Sequence, residues 1–72
     1  MTYDALAKKL GPKLKKARKR TPGMTQAKVG VLTGIARTDI IAMEQGKRLP
    51  RLHQLAALSK ALGTKPGELF AA

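Results

Sequence analysis

Apolar residues recur at three- and four-residue steps through most of this sequence, while strict alternation of apolar and polar residues is confined to short runs such as residues 1–5. A period near 3.6 marks an amphipathic helix and a period of 2 marks a strand, so the pattern predicts an all-α fold. Leu6, Leu10, Leu14 and Ala17 line one helix face, with Lys8, Lys9, Lys13, Lys15, Lys16 and Lys19 distributed around the others. Pro12 falls inside this pattern. Proline has no amide proton and its ring clashes with the preceding turn. The expectation is a break near Leu10 and Gly11, with a short leading helix before it. Helix 1 proper then runs from Pro12 at its first position to about Arg20, where Thr21-Pro22-Gly23 ends it.

Thr25 suits the N-cap of a second helix over Ala27 to Leu32, with Val29 and Leu32 on its inner face. Gly34 sits where a left-handed residue lets the chain turn sharply, Ile35 follows as a buried plug, and Gly30 is a small residue where two helices must approach. A third helix from Arg37 to Gln45 turns Ile40 and Met43 inward and stops at Gly46. Lys47 to Pro50 form a basic loop. Leu52, Leu55, Leu58 and Leu62 then define a fourth helix closed by Gly63, and Pro66 starts a final one through Leu69 and Phe70. A chain of 72 residues has room for one core. Residues 1–72 are expected to form a single domain: a basic N-terminal extension at 1–11 and a compact bundle of about five short helices at 12–70. Within it, the second and third helices form a helix-turn-helix at about 25–45.

So short a chain buries little surface, and small domains often lean on disulfides, a metal or a partner subunit. With no Cys and a single His, His53, neither a disulfide nor a zinc site can be assembled, and no cofactor is implied. The fifteen Lys and Arg against four Asp and Glu, a formal charge of +11, call for an anionic partner. Residues 1–23 carry eight basic groups and one acid, and residues 24–72 carry seven and three, so the two parts need not contribute alike. Only two aromatic residues, Tyr3 and Phe70, are present, too few for a base-stacking platform, which favours duplex DNA over single-stranded RNA. No apolar segment reaches the length of a signal peptide or membrane span, so the expected location is cytoplasmic, with no membrane partner and no small-molecule ligand evident. One His, no Cys, and Asp4, Asp39, Glu44 and Glu68 supply no nucleophile with a base and an orienting acid, so an enzyme is not expected.

Met24-Thr25-Gln26, Leu32-Thr33-Gly34-Ile35, Ile40, Met43 to Arg48, Pro50, Leu58 to Gly63 and Glu68-Leu69-Phe70 together resemble the family of phage lambda Cro and repressor, the XRE-like regulators, over about residues 10 to 70. The resemblance implies a sequence-specific regulator of transcription that binds double-stranded DNA, as a homodimer on a two-fold operator, with helix 3 in the major groove. It places Arg37 and Thr38, and one turn later Ile41 and Ala42, against base edges. Arg can donate a bidentate pair to guanine, and the methyl groups of Thr, Ile and Ala suit thymine. For Ile41, a protein contact or packing against helix 2 stands equally beside a thymine contact. The resemblance further implies that Gln26 lies beside the DNA backbone at the start of helix 2. Lys47, Arg48 and Arg51, with Thr25 and Gln45, would grip phosphates and fix orientation. Arg18 and Glu44 would form a partly buried ion pair between helices 1 and 3, and Leu62, Leu69 and Phe70 a dimer surface.

Two departures stand out. Ala36 occupies an N-cap where the family has Ser or Thr, and Asp39 puts an acid near phosphate, where it would read cytosine or weaken binding. The start of helix 3, Arg37-Thr38, looks somewhat like that of restriction-modification controllers, while a phage or plasmid repressor and an autoregulating antitoxin remain open. A protein-binding adaptor or coactivator on the same bundle, with only bulk attraction to DNA, is the alternative from another class. A membrane-binding basic helix at residues 2–20 is a third.

Overall fold

The computed structural model describes residues 2–69. Five helices follow in order: α1 (Tyr3–Arg20), α2 (Gln26–Thr33), α3 (Arg37–Glu44), α4 (Leu52–Ala61) and α5 (Pro66–Leu69), with no strand among the described residues. The fold is all-α, as the periodicity predicts.

The sharpest difference from the sequence reading lies in α1. Instead of a break at Leu10 and Gly11 there is one 18-residue helix with Pro12 inside it. Thr2 caps its start, Oγ1 accepting the Ala5 amide at 3.1 Å, and Asp4 in the first turn and Arg18, Lys19 and Arg20 in the last all oppose the helix dipole favourably. Pro12 removes one backbone bond on the exposed side of the helix, where Lys8 and Pro12 both lie. On the other side Ala7, Leu10, Gly11, Leu14 and Ala17 are buried in one continuous stripe, and packing holds the two halves in line. Gly11 is at the tightest point. A Cβ there would stand 2.7 Å from the Met43 carbonyl oxygen, 2.8 Å from that of Glu44 and 2.8 Å from the Gly46 amide nitrogen, all backbone atoms that cannot swing aside. Residues 3–11 are therefore the first half of α1, and they pack on the end of α3.

Thr25 caps α2, Oγ1 accepting the Lys28 amide at 3.1 Å. Gly34 ends it with φ of 74° in the left-handed region, its amide donating to the Gly30 carbonyl at 2.9 Å. Three residues later α3 begins. Ala36 precedes it with no side-chain cap, as expected. At Gly30 an added Cβ would lie 2.9 Å from the Ile35 carbonyl oxygen, so glycine serves the close approach of the turn to α2.

α3 packs on α1 and α2, α2 on α4, and α5 on α1 and α4. The core between them takes Leu10, Leu14 and Ala17 from α1, Val29 from α2, Ile40 and Met43 from α3, and Leu58 from α4, together with Ile35, Leu62 and Leu69. Two apolar residues assigned inward from spacing point outward. Leu32 is 53% exposed and Leu52 is 84% exposed, while Val29 and Leu58 on the same helices are buried.

Candidate nucleic-acid interface

The two ends of α3 have different surroundings. At its C-terminal end Glu44, its side chain 5% exposed, accepts from three donors. Arg18 Nε donates to Oε2 at 2.7 Å and Arg18 Nη2 to Oε1 at 3.0 Å, a bidentate pair, and Gln26 Nε2 donates to Oε1 at 3.2 Å. Arg18 Nη1 also reaches the Met24 carbonyl at 3.3 Å. The hydrogen bond to Glu44 raises the Arg18 guanidinium above its ordinary pKa, desolvation opposes the rise, and the Glu44 charge adds to it. One carboxylate thus ties α3 to α1 and to the start of α2. Gln26, expected beside the DNA backbone, has its amide engaged with Glu44 and is half-buried.

At the N-terminal end Arg37 and Thr38 are exposed, and Arg37 pairs with no carboxylate among the described residues. Ile41 and Ala42 are half-buried one turn on, and the spacing of the four sets them on one face of α3. Asp39, beside them in the sequence, does not stand as a free acid. Its Oδ1 accepts from Arg48 Nη1 at 3.0 Å. Arg48, expected to grip phosphate, is thereby engaged within the protein, although the pair is about one-third exposed on each side (39% and 35%) and weak as such pairs are. Gln45, Lys47 and Arg51 are exposed, and the Lys47 amide donates to the Ala42 carbonyl at 2.9 Å, which holds the loop against α3. Thr25 is exposed at the start of α2.

Two open depressions flank α3. One, of about 660 Å³, is bordered by Arg37, by Thr25 and Gln26, and by Lys15, Arg18 and Lys19 on α1. The other, of about 740 Å³, is bordered by Ala42, by Lys47, Arg48 and Arg51, and by Tyr3. Nothing in the sequence distinguishes Lys15 and Lys19 from the other lysines of a charged helix, and no local pattern marks Tyr3.

Leu62 and Leu69 are corrected as dimer-surface residues: they are 6% and 3% exposed and their side chains complete the monomer's own core. Phe70 lies outside the described residues. His53 is exposed, and no cluster of metal-ligating side chains occurs among the described residues. No helix there is long and apolar enough to cross a membrane.

A family model described as a helix-turn-helix domain matches residues 9–72. The chain belongs to the helix-turn-helix domain family. Among solved structures this helix-turn-helix chain is similar to the restriction-modification controller protein C.AhdI from Aeromonas hydrophila. The two share 32% identity over 92% of this chain and 98% of that one, with a TM-score of 0.83. No curated protein matches the sequence. The helix-turn-helix fold and this likeness support a DNA-binding transcriptional regulator.

Proposed function

We propose that the chain is a sequence-specific regulator acting on double-stranded DNA in the cytoplasm, of the restriction-modification controller kind, and that it inserts α3 into the major groove. The carrying observation is the contrast within α3: Arg37 and Thr38 are exposed at one end, cation-lined depressions lie at Arg37 and at Ala42, and Glu44 is tied down at the other end. Fixing the far end pre-orients the helix, so that little freedom is lost when Arg37 meets a guanine edge. Thr38, Ile41 and Ala42 complete the readout face. Thr25, Gln45, Lys47 and Arg51 are the backbone contacts that set its register. The 32% identity to a restriction-modification controller over nearly the whole of both chains favours that branch over phage repressors and antitoxins.

A homodimer on a two-fold operator, its two α3 helices separated by about 34 Å, completes the proposal. Titrating one operator and one scrambled duplex at several salt concentrations tests it. A regulator of this kind prefers the operator by at least a thousandfold, with log K falling by about 0.9 per phosphate neutralised for each unit of log salt. An adaptor held to DNA by its charge would show the salt dependence without the preference.

A further inference from the structure

The first six residues of α1 precede residue 9, where the family match begins, yet they reach the loop that follows α3. Tyr3, 54% exposed, stands at the edge of the depression bordered by Ala42, Lys47, Arg48 and Arg51. Its hydroxyl oxygen accepts the backbone N–H of Leu49 at 2.9 Å, a bond spanning 46 residues of sequence. A phenol that accepts from an amide keeps its own proton to give away. The acceptor that would suit it is anionic, because the side chains around the depression bring cations.

We propose that Tyr3 is a DNA-backbone contact: with its oxygen fixed by Leu49, it donates its proton to a phosphate oxygen that enters the depression beside Ala42. The inference rests on the groove reading of α3 given above, since Ala42 belongs to both the readout face and this depression. The bond to Leu49 restrains the phenol before DNA arrives.

A neutral donor and a cation leave different marks. Neutralising a phosphate with Lys or Arg releases a counterion and steepens the salt dependence, whereas a tyrosine hydroxyl adds a hydrogen bond and releases none. Tyr3→Phe removes the hydroxyl alone. The experiment measures the affinity of the full chain and of Tyr3→Phe for an operator duplex and for a scrambled duplex across a range of salt, with thermal melting of both proteins alongside. The expected result is a loss of about tenfold on both duplexes with an unchanged salt slope, the size of one hydrogen bond to a charged acceptor. Wild-type affinity in the variant would overturn the contact. So would a loss accompanied by a shallower slope, which would mean that Tyr3 acts only by placing the cations, or a loss matched by a fall in melting temperature. If the unaltered chain shows no preference for any duplex, the groove reading itself fails. A preference kept by the chain with no effect of Tyr3→Phe removes the Tyr3 contact alone.

Discussion

The two ends of α3 share one short helix and have opposite surroundings. Glu44 is enclosed and bonded to Arg18 and Gln26, while Arg37 and Thr38, two turns away, stand open to solvent. Polar side chains that complete the fold find partners inside the protein, because an unpaired buried charge is expensive. At the open end Arg37 pairs with no carboxylate among the described residues. The fold secures one end of the helix and leaves the other available.

The strongest way to break this contrast is at the secured end. Glu44→Ala strands the Arg18 guanidinium, 13% exposed, and removes the partner of Gln26. The expected loss is about 2–4 kcal/mol, somewhat under the value for a fully buried pair because water reaches Arg18, and a fall in melting temperature of roughly 10 °C or more. Unchanged melting would show that the pair does not hold α3. At the open end Arg37→Ala should leave melting untouched and lose about 1–3 kcal/mol of binding confined to one base position, read by titrating single-substitution operators. An even loss over all sequences would reassign Arg37 to the backbone.

A smaller effect is expected beyond the helix. Lys47→Ala should weaken every duplex alike and flatten the salt slope by about 0.9, measured by repeating the titration at several salt concentrations. Smallest is Ala36→Ser, which supplies the side-chain cap that α3 lacks. It should stabilise the fold by about 0.5–1 kcal/mol in a thermal melt while leaving the preferred operator as it was.

The parts of the fold written in local signals were legible in the sequence. Thr25 capped α2, Gly34 turned the chain in the left-handed region, and the ion pair of Arg18 with Glu44 formed between the expected helices. What depended on remote neighbours was not legible. Pro12 signals a break by local rules, but the stripe of α1 is buried by other helices, and the backbone pressed against Gly11 belongs to Met43, Glu44 and Gly46, more than thirty positions away. Spacing alone could not separate Leu32 and Leu52, which face solvent, from Val29 and Leu58, which do not, since helical period fixes a face only once the partners of that face are known. Spacing likewise cannot tell that Leu62 and Leu69 sit in the core rather than on a dimer surface, since the residues they pack with are remote in sequence. The bond of Gln26 to Glu44 and that of Arg48 to Asp39 join residues on different elements, which no local pattern announces.

Selection of bound duplexes from a random pool asks whether α3 reads sequence. Recovered duplexes should share a two-fold symmetric site with half-sites one helical turn, about 34 Å, apart, and Arg37→Ala should relax the preference at a single position in each half. Recovered duplexes with no word in common, or a preference indifferent to Arg37, Thr38, Ile41 and Ala42, would contradict readout by α3.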